Sequence, residues 1–302
     1  MPATDNLTPV HEKKNPSQGY TSRKRIRVHV LLFILTILST YFVGLGSGPI
    51  GALWYSLGII TILLAHEMGH YLMARKHGVP VTLPYFIPFP ISIFGTMGAV
   101  IKMGGYIPNR RILFDIGVAG PLAGMVIIIP SIIIGLQFSE IVELSTLGED
   151  SISLGNSLLF SLLTFLVVGP LKPGYDIVLH PLAFAGWAGL LVTALNLLPI
   201  GQLDGGHIMY SLFHKKSRVI SSLFWVILLL ICLFYFVGWI LLLVLLMVFR
   251  KHPPTMEDGL PLDPRRRVVG GIAMMVLVLS FTPVPFAIGE GLIPLLIQQF
   301  GL

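Results

Sequence analysis

Three residues within one five-residue stretch have the types and spacing for metal-dependent hydrolysis: His66, Glu67 and His70, in His66-Glu67-Met68-Gly69-His70. On a helix, positions i and i+4 share a face, so the two imidazoles reach one ion together. The carboxylate beside the first ligand addresses a water bound to that ion. The setting is unusual. The preceding run, Trp54 to Ala65, is apolar enough to lie in a membrane. A strongly polar group at membrane depth costs at least a few kcal/mol, so it is paired, ligated or facing water.

Composition agrees with a membrane setting. Of 302 residues, 54% are hydrophobic and only 11% charged, against about 25% charged in an ordinary soluble domain. The net charge of +6 comes from basic clusters beside apolar runs: Lys13 to Arg27, then Lys102, Arg110 and Arg111, then Lys215, Lys216 and Arg218, then Arg250 to Arg267. That placement fits cytoplasmic topology determinants and excludes nucleic acid as a partner. The single cysteine, Cys232, permits neither an internal disulfide nor a cysteine metal site. The N-terminal apolar run carries no small-residue cleavage pattern and reads as a retained anchor.

The expected fold is an all-α polytopic membrane protein, a helical bundle with a re-entrant β-hairpin or loop beside the metal-bearing helix. Residues 1–27 form a disordered basic tail, and 28–47 a first transmembrane helix entered from the cytoplasm. A membrane core follows over 48–214, with accessory spans over 215–302. Within the core, helix 51–76 runs outside to inside, so His66 and His70 lie in its cytoplasmic half. Pro80, Pro84, Pro88, Pro90 and several glycines forbid a regular helix over 79–108. Irregular backbone at membrane depth must be buried or line a wet cavity, so this segment is expected to lie against the metal helix, with a strand over 96–103. Residues 112–136 span outward and 177–200 span inward. Stretch 154–170 is expected not to span, because an added crossing would turn the end of 177–200 away from the metal. Residues 219–249 suit a short hairpin turning near Gly238. Asp115 is expected to pair with Arg111 at a helix start.

Two helical histidines in a zinc site call for a third protein ligand and leave one position for water. Asp204 fits best. It ends an apolar helix on the correct side and has glycines beside it. His207 is the main competitor, and His180 lies at the wrong end of the same helix.

His66-Glu67-x-x-His70, joined to Asn196-x-x-Pro199 and Leu203-Asp204-Gly205, resembles the site-2 protease family of intramembrane zinc metalloproteases. Gly98 and the Gly120-Pro121-x-x-Gly124 run add to the likeness, which is clear over about residues 50–210. The resemblance implies one Zn2+ per chain held by His66, His70 and Asp204, with Glu67 as general base. It also implies a role for Asn196 in holding substrate or the oxyanion. Many members carry a proline where this chain has Gly201, which bears on the local backbone. No inserted peptide-binding domain is visible.

The implied activity is hydrolysis of a peptide bond within or near the transmembrane segment of a membrane-protein substrate, in regulated intramembrane proteolysis. A substrate helix must unwind first, and the strand around Thr96, Gly98 and Val100 offers it an edge. The expected location is the cell membrane, multi-pass, with the N-terminus and active-site opening on the cytoplasmic side. The alternative is a metal-binding membrane protein that does not cleave, a transporter or an inactive scaffold. A transporter would show internal repeats and ionisable residues spread over several spans.

Overall fold

The structure is a computed structural model that describes residues 23–105, 107–148, 153–248, 252–286 and 294. The expected tail, 1–27, lies mostly outside the described residues. Helix α1 (Arg23–Gly44) begins inside it. Helix α2 (Gly48–Lys76) folds back on α1 after a short turn, and Thr40 and Ser56 hydroxyls bond across the hairpin at 2.7 Å. Helix α3 (Arg110–Gln137) is capped by Asn109, whose side chain accepts from the Arg111 and Ile112 amides. Among the described residues three stretches are long and apolar enough to cross a membrane: Ile26–Lys76, Arg110–Gln137 and Asp204–Phe234.

Between α2 and α3 the proline-rich segment forms an antiparallel hairpin of β1 (Tyr85–Pro88) and β2 (Thr96–Val100), with Tyr85 opposite Val100. The hairpin is pinned on two sides. The His29 ring of α1 donates to the Pro84 carbonyl at 3.0 Å, and the Tyr55 hydroxyl of α2 donates to the Phe94 carbonyl at 2.9 Å. Irregular backbone is thus held against helices, as its depth requires.

Beyond α3 an exposed ribbon pairs β3 (Glu140–Glu143) with β4 (Tyr175–Val178). Helix α4 (Leu158–Val167) lies between them in sequence and has 10 residues, about 15 Å. It is too short to cross a membrane. Helix α5 (Pro181–Asn196) follows with 16 residues, about 24 Å. The single inward helix expected over 177–200 is therefore shorter at both ends, and Asp204 does not end it. Residues 177–178 belong to β4, α5 ends at Asn196, and a separate helix α6 (Asp204–Phe213) opens on Asp204. Helices α7 (Ser217–Phe234) and α8 (Ile240–Val248) form the hairpin expected near Gly238, and Cys232 is buried between them. Helix α9 (Pro264–Ser280) ends before Pro283.

In lipid the hydrophobic effect does not drive helices together, so close packing must do so, and small residues permit it. A Cβ on Gly69 of α2 would lie 2.4 Å from the Ala119 carbonyl oxygen of α3. One on Gly135 of α3 would lie 2.2 Å from the Ala183 amide of α5. These contacts build a three-helix core of α2, α3 and α5, centred on buried Tyr55, Ile128, Trp187 and Leu190.

Asp115 departs from expectation. Arg111 turns away and donates to the Pro261 carbonyl at 2.9 Å. Asp115 instead takes a two-pronged contact from Arg266 of α9, Nε to Oδ1 at 2.7 Å and Nη2 to Oδ2 at 2.6 Å, and a third from His77 Nε2 at 2.9 Å. Arg266 also binds Asp263, which caps α9. A planar guanidinium matched to a carboxylate outweighs an i,i+4 pair, which contributes only a few tenths of a kcal/mol.

The fork should therefore be a main tie between α9 and α3. Arg266→Ala should destabilise detergent-solubilised protein by about 1–3 kcal/mol, since it leaves Asp115 short of partners. Arg266→Lys keeps the charge without the fork and should recover only part of this. Denaturant unfolding is the measurement, with Arg265→Ala as comparison. Equal midpoints for Arg265→Ala and Arg266→Ala would remove the fork from the account.

Candidate metal centre

The site is built from two elements that meet at one point. His66 and His70 lie one turn apart on α2, both buried. Asp204 is the first residue of α6. Their ligating atoms converge. His66 Nε2 and His70 Nε2 are 3.1 Å apart, and Asp204 Oδ2 lies 3.2 Å from each. Three ligands of a tetrahedral zinc with bonds of about 2.0–2.1 Å stand about 3.3 Å apart. The triangle therefore fits zinc, and two imidazoles with one carboxylate suit it chemically. Among the described residues this is the one group of three such side chains within metal-binding reach.

Helix α3 orients the histidines. The Ile116 carbonyl lies 2.7 Å from His70 Nδ1 and has no proton to give, so Nδ1 donates. That bond fixes the tautomer and leaves the Nε2 lone pair on the metal side. It falls in a turn loosened by Pro121, which has no amide hydrogen for the Gly117 carbonyl. The His70 ring is seated directly on Gly120, where a Cβ would come within 2.0 Å of Nε2. Gly124 lies beside His66, where a Cβ would meet Nδ1 at an ordinary 3.4 Å. The Gly120-Pro121-x-x-Gly124 run thus forms the seat of the two rings.

The turn between α5 and α6 places Asp204. Gly201 has φ +59, a left-handed conformation that the locked ring of proline cannot adopt. The chain then folds back so closely that a Cβ on Gly205 would lie 1.9 Å from the Leu197 carbonyl oxygen. A carboxylate at a helix start also complements the helix dipole.

Glu67 is buried on the same turn as His66, within electrostatic reach of His70 and Asp204. Asn196, the last residue of α5, brings Nδ2 to 3.4 Å from His66 Nε2. His207, the sequence competitor for third ligand, bonds elsewhere: its Nδ1 is 2.7 Å from His252 Nε2. His180 caps the far end of α5, accepting from the Leu182 amide. In β2, Thr96 is buried and its hydroxyl donates to the Ile87 carbonyl at 2.9 Å, Gly98 has φ +92, and Val100 is exposed. Sequence reasoning missed the Ile116 carbonyl and His252. The first is a backbone group, and the second lies 45 residues from its partner.

Comparison with known proteins places this geometry. Residues 54–237 match the model of peptidase family M50. The chain is 32% identical to the probable zinc metalloprotease EGY1, chloroplastic, of Arabidopsis thaliana over 241 residues, covering 77% of this chain and 43% of that protein. It is 31% identical over 243 residues to the protein of the same name from Oryza sativa subsp. japonica, covering 66% and 40% respectively. With the probable zinc metalloprotease EGY2, chloroplastic, of Arabidopsis thaliana it shares 30% over 229 residues, covering 75% and 41%. The chain belongs to peptidase family M50, the site-2 protease family. It spans about two fifths of the length of the relatives just described.

The glycine seat makes a prediction that separates two similar changes. In Gly120→Ala the new methyl must displace His70 Nε2, so purified protein should carry well under one zinc per chain by elemental analysis. Gly124→Ala, with only ordinary contact to His66, should stay near stoichiometric. Full zinc in Gly120→Ala would mean that the ring has another place to sit.

Proposed function

We propose that this chain is a zinc-dependent intramembrane endopeptidase that cleaves membrane-protein substrates within or near a transmembrane segment, the chemistry of regulated intramembrane proteolysis. The observation that carries the reading is the convergence of His66 Nε2, His70 Nε2 and Asp204 Oδ2 to within 3.2 Å beside a buried Glu67, in helices apolar enough to lie in a bilayer. The names of the EGY1 and EGY2 relatives support it. In this reading residues 48–214 are the catalytic core and residues after 215 are accessory.

His66, His70 and Asp204 hold the ion, and three protein ligands leave a position for water. When bound, zinc lowers the pKa of that water towards ~7 and polarises the scissile carbonyl. Glu67 takes the water proton and returns it to the leaving amide nitrogen, so atoms and charge balance over the cycle. Asn196 offers its Nδ2 hydrogens to the developing oxyanion from beside His66. The Ile116 carbonyl keeps His70 in the ligating tautomer throughout.

A substrate helix hides its amides in its own hydrogen bonds, so it must open before water attacks. We assign β2 as the edge that receives the opened strand. Among the described residues β2 pairs on one side only, with β1. Its depth suits this role. Phe94 is fixed at the level of Tyr55, and His66 lies 11 residues further along α2, about 16 Å. At about 3.3 Å per residue, that distance brings the returning strand near Gly98 to Val100. Thr96, Gly98 and Val100 would then pair with backbone next to the scissile bond. The end of the bundle bearing Arg75, Lys76, Arg110 and Arg111 is taken to face the cytoplasm, with the site opening there and the N-terminus on the same side.

Two substitutions separate the base from the ligand. Glu67→Gln should abolish cleavage of a tagged single-span substrate in co-expression while zinc stays near one per chain. Asp204→Ala should lose zinc as well as activity. Cleavage by purified Glu67→Gln protein would remove Glu67 as the base, and full zinc in Asp204→Ala would hand the third ligand to another residue.

A further inference from the structure

The segment joining α8 to α9 does more than connect them. Residues 252–263 cross the basic end of the bundle as a strap. The Met256 and Glu257 amides donate to the Ile107 and Pro108 carbonyls at 3.0 and 2.9 Å. The Tyr210 hydroxyl of α6 donates to Asp258 Oδ2 at 2.8 Å, and Thr255 holds Asp258 Oδ1 at 2.6 Å. At the start of the strap, His252 stacks flat on Tyr210, with ring centroids 4.2 Å apart, and its Nε2 lies 2.7 Å from His207 Nδ1.

The proton positions along this chain follow from the acceptors. His252 Nδ1 is 2.6 Å from the Pro253 carbonyl, which only accepts, so Nδ1 carries a hydrogen. In a neutral His252 ring Nε2 is then an acceptor, and His207 Nδ1 donates to it. Burial lowers the His252 pKa, against the Pro253 carbonyl and Asp258, which raise it. His207 lies three residues from Asp204 on α6, and its Cβ is seated against Gly117, 3.1 Å from where a Cβ there would lie. That places His207 between the strap and the α3 turn that holds His70.

We propose that His252 is a positioning residue for the metal centre: by accepting the His207 Nδ1 hydrogen it fixes the rotation of α6 against α3, and so the place of Asp204 Oδ2 in the ligand triangle. The proposal rests on the metal assignment made above. It gives the strap, which lies outside the proposed catalytic core, a share in the site. The acceptor is the essential feature, because a side chain of equal bulk without one would leave the half-buried His207 N–H unpaired.

The test uses the purified full chain in detergent, with zinc release to a competing chelator as the first readout and cleavage kinetics as the second. His252→Leu keeps bulk and loses the acceptor. His252→Gln restores an acceptor through its amide oxygen. Outer partners of metal ligands typically change affinity by about 10–100-fold when removed, so His252→Leu should release zinc about ten-fold faster or more. It should also lower kcat with KM unchanged. His252→Gln should release zinc at close to the wild-type rate. Tyr210→Phe, which removes the Tyr210 bond to Asp258 but leaves the imidazole pair, should resemble wild type. Equal zinc release in the Leu and Gln variants, or loss in Tyr210→Phe as large as in His252→Leu, overturns the proposal. Wild-type protein that holds zinc but cleaves no substrate would count against the protease reading alone, since the zinc-release comparison stands without it.

Discussion

Two imidazoles and a carboxylate meeting at one point inside an apolar bundle are stable only if something neutralises and bonds them there. Burying unpaired polar groups costs several kcal/mol, and hydrocarbon offers no water to repair the loss. The surrounding structure answers that demand. Helix α3 supplies a carbonyl for the outer nitrogen of His70 and a glycine against which the ring lies. The turn before α6 brings the carboxylate in over a backbone approach too close for any side chain. A Zn2+ ion would fit the resulting triangle and give the three facing atoms a common partner.

The same demand explains why the bundle is glycine-rich where it is. Gly69 lies between the residues of the metal motif on α2, and it meets the Ala119 carbonyl beside Gly120 on α3. The close contact of the two helices therefore occurs at the level of the site. A wider spacing would lengthen the His70 bond to the Ile116 carbonyl, and with it the constraint on the tautomer. Helix packing and ligand geometry are here a single requirement, because both are met by the same few small residues.

How much of this was legible in the sequence follows from the range of each interaction. His66, Glu67 and His70 were legible because an i,i+4 spacing on an apolar helix is local information. The proline-rich segment was legible as non-helical for the same reason, and its hairpin lies where strand 96–103 was expected. The start of a separate helix at Asp204 was not. Asp204 reads as the end of an apolar helix, whereas the left-handed φ at Gly201 and the fold-back at Gly205 turn the chain so that Asp204 starts a second one. Asp115 was matched to Arg111 because that partner is close in sequence, whereas the better donor, Arg266, is 151 residues away. The His207–His252 pair was hidden likewise.

One consequence concerns the backbone rather than the side chains. A β-hairpin inside an apolar bundle leaves amides and carbonyls on its outer edges with no water to satisfy them. Helices α1 and α2 take some of these groups through His29 and Tyr55, at Pro84 and Phe94. Along β2 the pairing on one side comes from β1, and among the described residues the other side has no strand. An edge of this kind has the greatest need of a partner at the depth of the metal. An unwinding substrate has the complementary need, since every turn it opens frees amides that water cannot reach. Under the proposed activity each strand supplies what the other lacks, and the cost of opening the substrate is offset at the position where the bond is cut.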